Sequence, residues 1–362
     1  MSSSLPPLEH LDPARFETPA VLKKLVSANR QLAELKGVAA SMPNQGMLIS
    51  TLGLQEAKDS SAIENIVTTH DELFRDAAFP EGAGSPAAKE VARYRQALDV
   101  GFRSVRDTRL LTTNHILAIQ ATLERNRAGL RKVPGTVLQD GAGRTVYTPP
   151  TPELLPGLMS DLDRFINGGV PFDADPLVKM ALIHHQIESI HPFYDGNGRT
   201  GRIVNVLYLV KERLLDTPVL YLSRAIVRSK ADYYRLLQSV REHGTWEEWV
   251  LYMLDAVERT ATDSIATIGA IRTLLMDYKH RIRARHRFYS QDLINNLFSH
   301  PYTKIDFIQR DLKVSRLTAT RYLDVLTAGG FLLKRKIGRS NYYINTPLYQ
   351  ALTGEAPPTD EN

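Results

Sequence analysis

The sequence contains no cysteine among its 362 residues, which excludes disulfide bonds and thiolate metal sites. It also lacks any run of about twenty apolar residues, so no membrane span is predicted. The N-terminal residues Met1 to Pro7 lack the basic start and apolar stretch of a secretory signal. We therefore expect a cytoplasmic protein whose apolar residues, 43% of the total, form ordinary cores.

Most of the chain also lacks an excess of positive charge. Residues 281–350 are the exception, with 13 Lys and Arg against 4 Asp in a protein of formal net charge +5. A basic unit of this kind indicates an acidic partner such as nucleic acid.

Apolar residues at helical spacing predict a mainly α fold. A loop is expected at residues 80–88, where glycine, proline and small residues cluster. Two β-prone runs around the turn Asp140 to Gly143 predict a hairpin over residues 135–147, the one clear β signal before residue 330. The predicted helices cover residues 22–35, 52–74, 88–102, 114–125, 154–166, 175–190, 231–240 and 246–279.

Residues 191–202 combine reactive side chains with a helix start. The segment reads His-Pro-Phe-Tyr-Asp-Gly-Asn-Gly-Arg-Thr-Gly-Arg and is followed by an apolar run. A glycine-rich turn that enters a helix presents free backbone N–H groups at the positive end of the helix dipole, and such a nest binds phosphate. Arg199 and Arg202 are three residues apart, so both can reach one anion from the same helix face.

This segment resembles the signature of the Fic (filamentation induced by cAMP, or Fido) family, HPFx[D/E]GNGRxxR, and every fixed position matches. The resemblance implies a mainly α fold, in which a Fic helical core carries a β-hairpin flap. It also implies an activity, the transfer of AMP from ATP to a Tyr, Thr or Ser hydroxyl of a target protein, which could be the protein itself.

The resemblance assigns roles to the residues of the segment. His191 would be the general base, Asp195 would hold Mg²⁺ beside the phosphates of ATP, and Arg202 would hold the γ-phosphate. The implied catalytic residues are His191, Asp195, Asn197 and Arg199. The implied ATP-binding residues are Gly196, Asn197, Gly198, Arg199, Thr200, Gly201, Arg202, Tyr233 and Tyr234.

Two of these features have ordinary structural alternatives. Tyr233 and Tyr234 would lie near the adenine, yet a place in the core is an equal alternative for either one. The hairpin would be the family's flap, which docks a target segment by strand addition, or else a plain surface hairpin. The docking residues would be Thr136, Val137, Leu138, Val146 and Tyr147.

An upstream segment resembles the inhibitory pattern of many Fic proteins, [S/T]xxxE[G/N]. Ser60, Glu64 and Asn65 occupy its fixed positions. By this resemblance Glu64 would pair with Arg202 and so occupy the group that receives the γ-phosphate. In some relatives the same glutamate positions water for the removal of AMP, and that reverse activity stays open here.

The basic C-terminal unit resembles a winged helix domain over residues 285–347. Helices are predicted at 290–298, 304–312 and 315–326, followed by a hairpin over 331–344 around Gly338. The third helix would lie in a DNA groove, with Lys334, Arg335, Lys336 and Arg339 on phosphates. A protein-interaction or homodimerisation module on the same fold is an even alternative.

These observations predict four segments. They are an N-terminal helical segment with the inhibitory motif (1–100), a Fic catalytic core (101–280), a winged helix domain (281–350) and a disordered tail (351–362). The favoured function is a self-inhibited protein adenylyltransferase. The alternatives are a DNA-binding regulator with a nucleotide-sensing Fic core, a de-AMPylase, and transfer of another nucleotide phosphate.

Overall fold

The computed structural model describes residues 5–78, 85–337 and 340–357. The fold is mainly α, as expected. The helices are α1 (Pro19–Ala40), α2 (Gln45–Ile63), α3 (His70–Ala78), α4 (Pro86–Thr108), α5 (Thr113–Glu124), α6 (Leu155–Ile166), α7 (Pro176–Ile190), α8 (Asn197–Lys211), α9 (Leu222–Arg228), α10 (Lys230–His243), α11 (Trp246–Arg285), α12 (Gln291–Ser299), α13 (Ile305–Leu312), α14 (Arg316–Ala328) and α15 (Thr346–Thr353). The strands are β1 (Leu138–Gln139), β2 (Thr145–Tyr147), β3 (Tyr302–Thr303), β4 (Leu333–Ile337) and β5 (Ser340–Ile344).

Several helices begin where short polar side chains cap them. Of the two candidate caps Thr112 and Thr113, it is the hydroxyl of Thr112 that accepts a hydrogen bond from the His115 backbone N–H at the start of α5 (3.3 Å). Asp175 caps α7 through the N–H of Leu177 (2.8 Å), and proline follows at the first helical position. These caps fix where the core helices start.

The helices α7 and α8 form the centre of the fold. They pack against each other, and α8 also packs against α4 and α5. Nearly every residue of both helices is buried, so neither presents a polar face to solvent. The loop between them, residues 191–196, therefore starts and ends on rigid, enclosed elements.

The single helix predicted over residues 52–74 is wrong. The chain leaves α2 at Glu64, and Asn65 takes a left-handed backbone conformation (φ 64°) that ends the helix. α3 then begins with a reciprocal cap, in which Thr69 Oγ1 accepts from the Glu72 N–H (3.1 Å) and Glu72 accepts from the Thr69 N–H (3.3 Å). This Thr-x-x-Glu capping box is a sequence signal that the helical periodicity obscured.

The hairpin is present but shorter than expected. β1 pairs with β2 antiparallel, with Leu138 opposite Tyr147, and Thr136 and Val137 lie outside the strand. The hairpin leans on helices: the Tyr147 hydroxyl donates to the Ser189 carbonyl (2.9 Å), and the Arg241 guanidinium lies 4.0 Å from the Tyr147 ring centre. A two-stranded hairpin needs such support because it is marginally stable alone.

The C-terminal unit has the helix–turn–helix and hairpin arrangement of a winged helix, with additions that the sequence patterns did not predict. Its three-stranded sheet has the order β3-β5-β4, and β3 and α15 were not predicted. Gly338 and Arg339, the expected tip of the wing, lie outside the described residues, as do residues 80–84 of the expected loop and 358–362 of the expected tail. The expected tail over 351–362 begins too early, because residues 351–353 form the last turn of α15. α11 runs without a break from Trp246 to Arg285.

This unit packs against the segment that carries the inhibitory pattern. α12 and α15 contact α2, and β3 contacts α3. The Tyr302 hydroxyl donates to the Asp71 carboxylate, and the Phe74 ring meets the His300 ring edge-on at 5.3 Å. In the described parts of the chain, no helix combines the length and the hydropathy needed to cross a membrane.

Candidate active site

The loop after α7 is held in one conformation by its own side chains. His191 ends α7 with a left-handed backbone (φ 47°), and Phe193 is buried in the core. The side-chain amide of Asn197 closes the loop twice: Oδ1 accepts from the Phe193 N–H (2.8 Å), and Nδ2 donates to the Phe193 carbonyl (2.9 Å). The Asn197 side chain therefore positions the loop, whereas the resemblance implied a catalytic and ATP-binding role for this residue.

The His191 side chain is a neutral imidazole. Its Nδ1 is buried and has no hydrogen-bond partner in the part of the chain that the structure describes. Burial, together with the nearby cations Arg131 and Arg241, lowers the pKa of His191 to about 4. At neutral pH the imidazole is thus unprotonated and able to accept a proton, which is the state that a general base requires.

Arg131 holds the carbonyl groups of the loop in place. The sequence did not predict this role. It is fully buried. Its Nε donates to the His191 carbonyl (2.8 Å), and its backbone N–H donates to the Pro192 carbonyl (2.9 Å). Another of its nitrogens donates to the Pro150 carbonyl, beyond the hairpin. Arg131 thus connects the loop that carries His191 to the segment that follows the hairpin.

Asp195 and Gly196 form the entrance to α8. The Asp195 side chain is 74% exposed, and its Oδ1 accepts from the Gly196 N–H (2.7 Å). Gly196 has φ 74°, and a Cβ atom there would lie 2.5 Å from Glu124 Oε1. Glycine is therefore required at this position, both by the left-handed backbone and by the approach of α5.

Glu64 binds both arginines of the signature at once. Its Oε2 accepts from Arg199 Nε (2.6 Å), and its Oε1 accepts from Arg202 Nη2 (2.8 Å). The resemblance implied only the pair with Arg202. Both arginine side chains are 2% exposed. Two buried guanidinium groups thus converge on the two oxygens of one anion, the arrangement that would also suit a phosphate.

The other residues of the inhibitory pattern complete this clamp. The Ser60 hydroxyl accepts from Arg202 Nε (2.7 Å), and the Ser60 carbonyl accepts from Arg202 Nη2 (2.9 Å). Asn65 Oδ1 accepts from Lys230 Nζ (2.9 Å). A Cβ atom on Gly198 would lie 2.7 Å from Glu64 Oε1, so glycine at that position lets the carboxylate reach the helix start.

Two more carboxylates surround Arg199, and the sequence reasoning missed both. Arg199 Nη1 donates to Glu90 of α4, and Arg199 Nη2 lies 3.1 Å from Glu124 Oε1 of α5. No motif marks them, because they lie 109 and 75 residues from Arg199 along the chain. With Asp195 at 3.6 Å, four carboxylates face the two guanidinium groups, so the resting site carries excess negative charge.

Some residues expected at the nucleotide face inward instead. Thr200 is fully buried. Gly201 faces α7, since a Cβ atom there would meet Glu188 and His184 at 3.4 Å. Gly201 therefore packs α8 against α7, and the Thr200 side chain does not reach solvent.

The two tyrosines of α10 differ in the same way. Tyr233 is buried, and its hydroxyl lies 2.8 Å from His184 Nε2. Of the two alternatives given for Tyr233, its contacts fit a place in the core. Tyr234 is 47% exposed, and its ring lies edge-on to Tyr233 at 5.1 Å. Tyr234 is the member of the pair that remains accessible to a ligand.

The hairpin presents apolar side chains to solvent beside the site. Val137 and Val146 are exposed, whereas Leu138 and Tyr147 are half-buried. The Val146 carbonyl accepts from Gln238 Nε2 of α10 (2.9 Å). One edge of the hairpin is thus anchored to the helical core close to His191.

The fold and the loop–helix anion site define a Fic-type protein, and comparison with known proteins identifies the family. Three family models match the chain: "Fic/DOC family N-terminal" over residues 22–103, "Fic/DOC family" over 110–209, and "Protein adenylyltransferase SoFic-like, C-terminal domain" over 274–348. The chain belongs to the Fic family.

Curated relatives carry the name protein adenylyltransferase. The chain is similar to protein adenylyltransferase fic-1 of Caenorhabditis briggsae, with 28% identity over 182 residues, which is 49% of this chain and 34% of the relative. It is similar to protein adenylyltransferase Fic of Nematostella vectensis, with 29% identity over 250 residues, 65% of this chain and 55% of the relative. The alignments thus leave much of each relative uncovered.

A solved structure supports the fold. A crystal structure of a Fic family protein from Desulfovibrio desulfuricans G20 superposes with a TM-score of 0.57 at 20% identity. The match covers 94% of this chain and 98% of that one. At this identity the similarity concerns the fold.

Proposed function

We propose that this protein is a self-inhibited protein adenylyltransferase, which transfers AMP from ATP to a Tyr, Thr or Ser hydroxyl of a target protein. The observation that carries the proposal is the convergence of Arg199 and Arg202 on the Glu64 carboxylate. This carboxylate stands where an anion with several oxygens would bind. The names of the curated relatives agree with the activity.

In the proposed reaction His191 takes the proton of the acceptor hydroxyl. Its lowered pKa keeps it neutral before the substrates arrive. The negative charge of a bound nucleotide would raise the pKa of His191 again, toward the range in which a base works best at neutral pH. Arg199 would then balance charge on the transferred and leaving phosphates.

The residues present fit Mg²⁺ as part of an ATP complex. Mg²⁺ binds through one or two carboxylates together with phosphate oxygens. Asp195 is an exposed carboxylate at the start of α8, and no three His, Asp or Glu side chains in the described ranges are grouped as a metal cage. Asp195 would therefore hold a cation that arrives with the nucleotide and neutralises its phosphates.

The exposed edge of the hairpin would receive the target. Val137 and Val146 present apolar surface next to the loop, and strand addition along the hairpin would bring an acceptor residue to His191. Tyr234, rather than the buried Tyr233, would contact the adenine.

Glu64 would inhibit the enzyme by occupying both arginines. A nucleotide has to displace its carboxylate before Arg202 can hold the γ-phosphate. Because the same residue could instead position water, removal of AMP from a modified target is a second outcome of this site.

The test is labelling of proteins by an ATP analogue that carries a fluorophore. Glu64→Gly, incubated with Mg²⁺, the analogue and a cell lysate, is expected to label itself or target proteins well above the wild-type level. Adding His191→Ala should lower the labelling rate roughly 10²- to 10⁴-fold, the usual loss for a general base. Labelling that survives His191→Ala, or that never exceeds the wild-type level, would contradict the proposal.

The partner of the C-terminal unit stays a prediction, with DNA, another protein and a second copy of the chain as the candidates. Its outer helix α14 exposes Leu317 as well as Arg316 and Arg321. Duplex DNA titrations at about 50 and 200 mM salt separate the candidates, since phosphate contacts lose affinity steeply with salt. Sedimentation of the free protein tests the homodimer.

A further inference from the structure

Arg199 and Arg202 are restrained to different extents. Among the described residues, Arg202 forms an ion pair with one carboxylate, that of Glu64, and its other hydrogen bonds go to the hydroxyl and carbonyl of Ser60. Arg199 meets a different carboxylate at each of its three nitrogens, namely Glu64 at Nε, Glu90 at Nη1 and Glu124 at Nη2. These carboxylates come from the C-terminal end of α2, from α4 and from α5, respectively, which are separate elements of the fold.

Removal of Glu64 alone therefore frees the arginines unequally. Arg202 would lose its carboxylate, and its Nη2 could receive a phosphate oxygen. Arg199 would lose only the contact at Nε, while both terminal nitrogens kept their acidic partners. Terminal nitrogens form the fork that binds phosphate in two places, so Arg199 would remain largely occupied.

We propose that Glu90 is a second inhibitory residue, which holds Arg199 Nη1 in the resting state independently of Glu64. The proposal rests on the proposed function, because the nucleotide phosphates are the anion for which Glu90 competes. Access of a phosphate to Arg199 Nε and Nη1 then requires that α2 and α4 both release the start of α8, while Glu124 of α5 stays in place.

Exposure distinguishes Glu90 from the third partner, Glu124. The Glu90 side chain is 24% exposed and that of Glu124 is 11% exposed. Glu124 is also packed against Gly196, and burial raises its pKa. Glu90 can turn toward water at little cost, whereas a displaced Glu124 carboxylate would remain enclosed and uncompensated. Glu124 is thus the fixed partner of Arg199, and Glu90 is the partner whose ion pair with Arg199 can be broken.

The test measures Mg–ATP affinity by calorimetry for Glu64→Gly, Glu90→Gln and the double variant. The double variant is expected to bind roughly tenfold more tightly than Glu64→Gly, about the worth of one charge-assisted hydrogen bond. Glu90→Gln alone should give a smaller gain, because Glu64 still occupies both arginines. The matched control is Asp99→Asn, which removes an exposed carboxylate from the same helix, paired with Arg103 at 2.6 Å, and should leave the affinity unchanged.

Equal affinity in the double variant and in Glu64→Gly would overturn the proposal. Weaker binding in the double variant would also overturn it, since Glu90 would then be orienting Arg199 for the nucleotide. Glu90→Ser replaces Glu90→Gln if the latter does not fold. The affinity readout needs no turnover, so tighter binding without labelling of any protein would support Glu90 as a restraint while rejecting AMP transfer.

Discussion

Two regions of this protein are rich in arginine and lysine, and they use these cations differently. At the start of α8, buried guanidinium groups pair with carboxylates more than a hundred residues away, as in Arg199 with Glu64 and with Glu90. In the C-terminal unit, exposed cations pair with near neighbours in sequence, as in Arg310 with Asp311. The ion pairs at the start of α8 join helices that are distant in sequence, whereas those of the C-terminal unit lie on the surface and join neighbouring residues.

The energetic consequence follows from burial. An exposed ion pair contributes about 0–1 kcal/mol, because water and salt screen it. Removal of one member of a buried pair costs about 3–5 kcal/mol, because the remaining charge has no compensation. The basic surface of the C-terminal unit is therefore free to exchange partners, and the buried arginines exchange theirs only for another anion.

The largest expected difference in stability is between two variants that each remove one carboxylate, one from each region. Glu64→Gln should lower the free energy of unfolding by about 2–4 kcal/mol, since it leaves Arg202 buried without a carboxylate. Asp306→Asn, which removes an exposed partner of Arg316 (3.2 Å), should cost less than about 1 kcal/mol. Urea denaturation measures both.

Adding Mg–ATP sharpens this comparison. The nucleotide should restore much of the stability lost in Glu64→Gln, because its phosphates replace the missing carboxylate, and it should not affect Asp306→Asn beyond its effect on wild type. Equal losses of stability for the two variants would contradict the contrast between the regions.

A smaller effect is expected from two glycines with similar backbone. Gly196 (φ 74°) lies against Glu124 and Leu123, whereas Gly129 (φ 70°) has no neighbour within 4 Å of a Cβ position in the described structure. Alanine costs about 1–2 kcal/mol at either from the left-handed backbone. Gly196→Ala should cost about 1–3 kcal/mol more, since Glu124 must shift away from Arg199.

Thermal melting of the two variants isolates that packing contribution. Equal decreases in Tm for Gly196→Ala and Gly129→Ala would contradict this prediction, because they would show that the start of α8 can accommodate a Cβ atom at Gly196.

The smallest and most gradual effect concerns pH, and here the two regions should behave alike. Burial lowers the pKa of His184 in the core and of His300 in the C-terminal unit to about 3 each. The unfolded chain protonates these rings near pH 6.5, so the stability that they contribute is complete above pH 6.5. It is lost as the pH falls from 6.5 toward 3.

The measurement is Tm between pH 7.5 and 5 for wild type, His184→Asn and His300→Asn. Each variant should flatten the acid-side slope by a similar amount, on the order of 1–2 kcal/mol at pH 5. The control His243→Asn, at an exposed ring, should keep the wild-type slope. A slope that only His184→Asn changes would show that the regions differ here too.

The sequence predicted the helices well where apolar spacing and caps agree. Thr112 caps α5 and Ser315 caps α14. The helix over residues 52–74 was predicted without its break, because the apolar pattern continues through Glu64 while the backbone does not. The Ile66 N–H donates to the Ser61 carbonyl (3.0 Å) and so ends the helix. Helix propensity predicts such an ending only weakly.

The site likewise has features that adjacent residues predict and features that they do not. Residues 191–202 lie together in sequence, so their loop, their helix start and the spacing of Arg199 and Arg202 could be predicted. The roles of Asn197, Thr200 and Tyr233 were not, since each side chain is committed to packing or to loop closure. Glu90, Glu124 and Arg131 carry no local pattern that points to the site.

The sequence by itself determined the chemistry of the loop, because backbone turns, helix caps and i, i+3 neighbours depend on a few adjacent residues. Only the tertiary structure decided which acids face that chemistry. The packing of α2, α4 and α5 around α8 brings Glu64, Glu90 and Glu124 to one guanidinium. Such pairings depend on how whole helices pack, which adjacent residues do not specify.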